Sequence, residues 1–525
     1  MTAAGAAGQA RTHEDRWRAH VAIARYRLPD LIVLTAVAGG VLAGIVVRLS
    51  RLGERVLSFD EGYTLATVQR SLPDMLAAFR FEANGTLYAI LLWPLLRISE
   101  LEAVVRTPAV VAGILTIPAV YWAGRELVGE RAALVAAALV ALSPAMIGWS
   151  VYGRGYPLAT LFAVLSFGCL ARALREDGRP ERWRGLYVLA VLAMAYSSVL
   201  AAVTLLPVHV VAVASRKRHR DSLRAWGVAA LALGAGLLPL LTLLRAESTY
   251  RDPLAWLWEP DLALVRRVGG ELAAGPSFFG ETGGVLAGAI AATLLVVVVC
   301  ASLLSRHGAV TRRWHACVVL GWASFPPLFL FVASQVRPMF WGRYLGIVVP
   351  ALALIVAVLL VRMPRTLGVL YSLVLGSLLV AASLVTPAPP NDFQSLGSWV
   401  ETTRRESDPL VLYPVEQLPP LAYYARTLRV GGVVPVEEWN DTRLPAGLEG
   451  YRRDYDWGDS PVGPPSAARL SRLSARTGSV FVATYPNLAA TIPVAWAETQ
   501  GCELQWFRFD GLTALSIRGC SGTGG

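Results

Sequence analysis

"LIVLTAVAGGVLAGIVVRLSRLGERVLSFDEGYT", residues 31–64, joins an apolar run to an arginine-bearing turn and then to an adjacent pair of acids, Asp60 and Glu61. The run Leu31–Val47 is on the scale of the roughly twenty residues that carry a helix across a bilayer core. Working outward, comparable runs recur at Val104–Trp122, Ala132–Trp149, Leu158–Ala173, Trp226–Leu244, Val285–Leu304, Ala316–Ser334, Gly346–Val361 and Leu367–Val385. Leu186–Ala214 would measure about 43 Å as one helix at 1.5 Å per residue, so it is read as two short helices turning at Tyr196-Ser197-Ser198. The total is eleven spans, a polytopic α-helical membrane protein.

Composition agrees. The chain has 525 residues, 55% hydrophobic and 16% charged, where soluble domains carry about a quarter charged residues. Its formal net charge of +11 sits in short clusters between apolar runs, the pattern of orientation signals, which speaks against nucleic acid as a partner. The N-terminal tail (residues 1–28), "ALREDGRPERWR", "SRKRHRDSLR", "SRHGAVTRRWH" and "RMPRT" fall on one side of this threading. That side is expected to be cytoplasmic, in the plasma membrane of a bacterial cell. The transmembrane domain then covers residues 29–386, and the loop 48–103 and the segment 387–525 lie outside. The polar, Arg-rich start argues against a cleavable signal peptide.

Two parts of the outer loop read as surface helices. "LYAILLWPLLRI" (Leu87–Ile98) is too short to span, and "SLPDMLAAF" offers Ser71 as N-cap, Pro73 near its start, and Leu72, Leu76 and Phe79 on one face. After "TPAPPND" the pattern alternates: helix in "FQSLGSWVETTRR", strand in "PLVLYP", helix in "LAYYAR" and "AARLSRLSAR", strand in "GSVFVATY". A small α/β domain follows from that order. "CELQWFRFDGLTALSIRGC" reads as a hairpin turning at Asp510-Gly511, with Cys502 and Cys520 placed to pair across it. Tyr413, Tyr423, Tyr424 and Trp439 suit sugar stacking or core packing, with core favoured for the first three.

The chemistry-bearing candidates gather on the outer side. Asp60 and Glu61 are either a solvated pair, an acidic helix cap, or a catalytic pair. Glu82 and Asn84 in "FEANGTLY", Arg154 and Tyr156 in "SVYGRGYP", and Arg337, Arg343 and Tyr344 in "QVRPMFWGRYL" all fall near helix ends on that side. Arginines and tyrosines there also serve as interfacial anchors, but the planar guanidinium suits phosphate. Asp60, Glu61 and Glu82 could supply oxygens to Mg²⁺ or Mn²⁺.

"FDEGYT" after the first span, "LYAILLWPLLRISELEAVVRTPAVVAGILTIPAVYWAGRELVGERAALVAAALVALSPAMIGWSVYGRGYPLATLFAV", "MFWGRYLGIVVPALAL" and "SLGSWVETTRRESDPLVLYP" followed by "LAYYA" together resemble the C-class glycosyltransferases of the protein O-mannosyltransferase and aminoarabinose-transferase type, over about residues 30–430. The resemblance implies a sugar on a polyprenyl phosphate moved with inversion to an extracytoplasmic acceptor hydroxyl on a glycan, lipid or protein. It casts Asp60 as base, with Glu61 supporting it or orienting the acceptor. Arg343 and Arg154 would stabilise the leaving phosphate, and Tyr344 and Tyr156 would shape the pocket. Mannose is the default sugar and arabinose the alternative. Many relatives have a His-Pro-Pro-Leu-Tyr-type stretch where this chain has Asn84-Gly85-Thr86-Leu87-Tyr88, and a Gln-Glu-Ala-Arg-type stretch where it has Val151-Tyr152-Gly153-Arg154. Both departures remove polar groups and weaken the case for a metal. The competing functions are a transporter or flippase of lipid-linked glycans and a non-catalytic cell-envelope assembly protein. Few ionisable residues in the spans and no repeated broken helices argue against transport.

Overall fold

A computed structural model describes residues 28–175, 180–215, 220–250, 254, 257–275, 281–304, 313–385, 391–413, 417–429, 448–450, 467–485 and 491–520. The N-terminal tail and Trp439 lie outside these residues. The protein is a polytopic helical membrane protein carrying a small C-terminal α/β domain.

Among the described residues, six helices are long and apolar enough to cross a membrane. They are Glu102–Leu127, Tyr156–Ala173, Arg224–Thr249 within a longer helix, Arg313–Ala333, Gly342–Arg362 and Arg365–Leu384. The bent pair Glu130–Leu142 and Pro144–Ser150 makes a seventh, and further apolar stretches lie in Thr86–Leu96, in Val199–Ala214 and within the longer helices Leu28–Ser50 and Glu281–Leu304. Each of the eleven apolar runs picked out by hydropathy is helical: these six, the bent pair, Leu28–Ser50, Pro180–Ser197, Val199–Ala214 and Glu281–Leu304. Residues 186–214 divide as expected, into Pro180–Ser197 and Val199–Ala214. In the first loop Ser71 caps Leu72–Ala78 by accepting from the Asp74 N–H, and Thr86–Leu96 forms the second short helix. Their packing differs from expectation: Met75, Ala78 and Phe79 are buried, whereas Leu72 and Leu76 are exposed.

The run expected as a single span over Ala132–Trp149 is broken. Pro144 has no N–H to offer the Val140 carbonyl four residues back, and the two halves bend by 58°. Arg48 compensates. It is fully buried at the end of the Leu28–Ser50 helix, and its guanidinium donates to the carbonyls of Val140 (3.2 Å) and Ala141 (2.6 Å), to Gly44 O (2.8 Å) and to Ser150 Oγ (3.2 Å). Gly44 permits this approach, since a Cβ there would lie 2.2 Å from the Ala141 oxygen. Arg48→Met strands two carbonyls in a low-dielectric interior, each costing about 1–3 kcal/mol. We expect a loss of about 3 kcal/mol in denaturant unfolding of the purified protein, whereas Ser150→Ala, which removes the bond from Arg48 Nε and the one to the Met146 carbonyl, costs less, about 1 kcal/mol.

The C-terminal domain holds a five-stranded mixed sheet, ordered β2 (Leu448–Gly450), β1 (Leu410–Tyr413), β3 (Ser479–Thr484), β5 (Leu512–Arg518), β4 (Glu503–Phe509). β1 runs parallel to β2 and β3, and β5 runs antiparallel to β3 and β4. Alternate residues of β3 and β5 face opposite ways. Phe481 and Ala514 join Trp399 of the Phe393–Thr403 helix and the large helical core, while Val480, Val482 and Leu515 pack against Leu470 and Trp496. Because both faces are covered, β3 is buried throughout, so it reads as a continuous apolar run. The hairpin turns at Asp510-Gly511, where Gly511 takes φ +68°, and Cys502 and Cys520 form a disulfide across its open end. β2 and the helix Thr491–Thr499 were not anticipated from sequence.

Candidate active site

Ser58 starts the helix Phe59–Val68 as N-cap, with Glu61 three residues on, completing a capping box. Glu61 Oε2 accepts from Ser58 N (2.9 Å) and Ser58 Oγ (3.0 Å). The helix therefore begins at Phe59. Successive side chains on a helix point about 100° apart, so the two acids face different partners.

Glu61 points inward. It is 2% exposed, and Arg106, 1% exposed, donates to both its oxygens at 2.7 and 3.1 Å. Gly153 N–H adds a bond at 2.8 Å. Arg106 also donates to the carbonyls of Leu52, Arg55 and Val56, tying down the loop that leads to Asp60. Burial works to raise the Glu61 carboxyl, but Arg106 and the hydrogen bonds outweigh it and hold it below its ordinary range. Both Glu61 oxygens are thus engaged by Ser58, Arg106 and Gly153.

Asp60 points the other way, into a site drawn from distant segments. Its Oδ2 accepts from the Tyr152 hydroxyl and from Arg343 Nη1. Arg154 Nη1 donates to Thr64 Oγ1 (3.0 Å) and to the Asp60 carbonyl (3.5 Å), while its Nη2 pairs with Glu82. Burial again pushes the Asp60 carboxyl up, yet Arg343, Arg154 and the bonds from Tyr152 and Arg343 prevail and hold it at about 2. Asp60 keeps 18% of its side chain exposed, so the carboxylate remains reachable. An aromatic wall backs the pair: Tyr156 stacks on Tyr152 (6.4 Å), meets Tyr344 edge-on (6.0 Å) and Trp149 (6.3 Å), and lies 5.9 Å from the Arg343 guanidinium carbon.

The structure thus brings together Asp60, Arg154, Arg343, Tyr156, Tyr344 and Glu82. Asn84 is nearby but occupied, its Oδ1 accepting from Val199 N (3.1 Å). An open cleft beside Arg154 is lined by Thr64, Thr67, Glu82, Asn84, Thr86 and Tyr88, with Gly85 at φ +84° shaping its floor. Arg337 is not part of this cluster's contacts with Asp60; it lies on the exposed turn after Arg313–Ala333. Tyr152 and Arg106 were missed by sequence reasoning. Arg106 carried a signal, a charge just inside an apolar span.

Asp60, Glu61 and Glu82 do not fit a shared metal. Each engages a different arginine, and among the described residues no group of three or more His, Cys, Asp or Glu side chains could hold an ion.

Residues 84–242 match the family model for dolichyl-phosphate-mannose-protein mannosyltransferases. No curated protein matches the chain. Among solved structures, ArnT from Cupriavidus metallidurans bound to undecaprenyl phosphate is similar with a TM-score of 0.58 at 13% identity, covering 95% of this chain and 100% of that one. The oligosaccharyltransferase AglB from Archaeoglobus fulgidus, in complex with an inhibitory peptide and a dolichol-phosphate, gives 0.53 at 12%, covering 94% and 74%. The arabinofuranosyltransferase AftD from mycobacteria gives 0.53 at 13%, covering 92% and 40%. The chain has the C-class glycosyltransferase fold.

Proposed function

We propose that this protein is an inverting glycosyltransferase that moves a sugar from a polyprenyl-phosphate donor to an acceptor hydroxyl on the extracytoplasmic face, with Asp60 as base. The observation that carries the reading is one carboxylate bonded by Arg343 and Tyr152, with Arg154 on the backbone carbonyl of the same residue, an aromatic wall behind and part of its surface open. The match of residues 84–242 to a mannosyltransferase family model and the lipid phosphates in two similar structures support the same chemistry. The Cys502–Cys520 disulfide favours an oxidising compartment for the C-terminal domain, in keeping with the orientation expected from the arginine clusters in the sequence.

The chemistry needs few groups. A glycosidase requires a second carboxyl to protonate a leaving alcohol, whereas here the donor is a phosphate diester whose leaving group, the polyprenyl phosphate monoester, departs as a stable anion. Asp60 removes the acceptor proton as the acceptor oxygen forms its bond to the anomeric carbon. On the opposite face the bond from that carbon to the phosphate oxygen breaks, and its electron pair departs on the polyprenyl phosphate. Arg343 and Arg154 stabilise that charge. Arg343 engages Asp60 when no donor is bound, so the phosphate competes for the guanidinium and frees the carboxylate as it docks. Loss of that cation raises the proton affinity of Asp60, which makes it a better base in the complex than in the free enzyme. Tyr156 and Tyr344 shape the pocket, and mannose is the first sugar to try.

A single displacement fixes the product. With a synthetic polyprenyl-phosphate sugar of defined anomeric configuration, we expect NMR of the product to show the opposite configuration. Retention contradicts the one-base mechanism.

A further inference from the structure

The helix that carries Asp60 is gripped by the C-terminal domain at three places along its length. Before its start, Leu57 N–H donates to the Tyr424 hydroxyl (2.8 Å), which in turn donates to Glu102 Oε1 (3.1 Å). In its middle, Gly62 lies against the backbone of the Leu418–Tyr424 helix: a Cβ on Gly62 would sit 2.6 Å from the Pro420 nitrogen and 2.8 Å from its Cα. Past its end, Gln69 Nε2 donates to Glu100 Oε1 (2.7 Å), and Arg429 Nη1 donates to Glu100 Oε2 (3.2 Å). The Tyr423 hydroxyl reinforces the last anchor by donating to the Glu100 carbonyl (2.9 Å).

These contacts reach this helix and the neighbouring Glu100–Glu102 segment. Residues Leu418–Ala422 are buried at the junction, and the first-loop helix is buried from Glu61 to Val68. A short helix of ten residues with Gly62 in its interior has little stability of its own. Its angle, and with it the position of the Asp60 carboxylate relative to Arg343 and Tyr152, depends on what packs against it.

We infer that the C-terminal domain is a positioning element for Asp60, holding the base-bearing helix through Tyr424, the Gly62–Pro420 contact and the Gln69–Glu100–Arg429 bridge. Tyr424, Pro420 and Arg429 are positioning residues and touch neither donor nor acceptor. The inference rests on the reading of Asp60 as base, and the test separates the two.

The decisive variants are Tyr424→Phe, which deletes one hydroxyl and keeps the ring, and Arg429→Gln at the far anchor, in the full-length protein in nanodiscs. Gly39→Ala serves as control, because a Cβ there meets nothing. Amide hydrogen exchange of residues 57–69 is measured beside transfer kinetics. For Tyr424→Phe we expect exchange across that segment to rise about tenfold and kcat per folded molecule to fall about tenfold, with the donor KM within about twofold. Added to Asp60→Asn, Tyr424→Phe should cost nothing further, the non-additivity of a residue that acts through another. A general loss of stability would spread exchange over the whole molecule. Unchanged exchange and kcat in both variants overturn the positioning role while leaving Asp60 as base. Raised exchange confined to residues 57–69, in a protein whose wild type transfers no sugar, supports the clamp and removes the base.

Discussion

Asp60→Asn abolishes most transfer. Replacing the carboxylate by an amide of nearly the same shape keeps an acceptor oxygen for Tyr152 and Arg343 but removes the proton sink, and general-base catalysis is worth about 10²–10⁴-fold. We expect kcat to fall by that factor with donor affinity unchanged or improved, because Arg343 is released for the phosphate. The pH dependence carries the same signature. In the proposed mechanism the active form of Asp60 is the carboxylate, whose pKa is held down to about 2 in the free protein, so protonating it should remove activity only as pH falls toward that value. In the donor complex, with Arg343 turned to phosphate, the carboxyl titrates higher. The acid limb of kcat should therefore lie at higher pH than that of kcat/KM, and both should lose it in Asp60→Asn.

The second large effect falls on stability. Arg106→Met leaves Glu61 buried with its principal counter-charge gone, and breaking a buried pair from one side costs about 3–5 kcal/mol. It also releases the carbonyls of Leu52, Arg55 and Val56. Thermal unfolding in detergent should drop accordingly. The double variant Arg106→Met with Glu61→Leu should recover only the part of the loss that comes from the unpaired buried charge, since the three carbonyls and the Gly153 N–H stay without their partners. Recovery of stability by the double variant, with transfer restored in proportion, separates Glu61 from Asp60: adjacent in sequence, one serves architecture and the other chemistry.

The features legible in the sequence are those written in local pattern. Hydropathy placed the apolar helices, Ser197-Ser198 marked the break between two of them, Ser71 and Pro73 announced a helix start, and Asp510-Gly511 between two cysteines announced the hairpin. Side chains at the ends of apolar runs, Asp60, Arg154 and Arg343, do converge. What escaped is long-range pairing. Nothing near Glu61 specifies Arg106, 45 residues on, and nothing near Pro144 says that Arg48 will supply donors to the carbonyls its ring leaves open. Tyr152 looks like any interfacial tyrosine until the fold brings its hydroxyl to Asp60. Tyr424 reads as core until it meets Leu57 across 367 positions.

The central claim is transfer from a lipid phosphate through Asp60. The most direct measurement incubates the purified protein in nanodiscs with polyprenyl phosphates bearing labelled mannose, arabinose, glucose or galactose, together with a cell-envelope acceptor extract, and compares wild type with Asp60→Asn. Label should move to the acceptor from one of these donors with the wild type and hardly at all with the variant. Equal transfer by both proteins, or none from any donor by a well-folded wild type, would contradict the account.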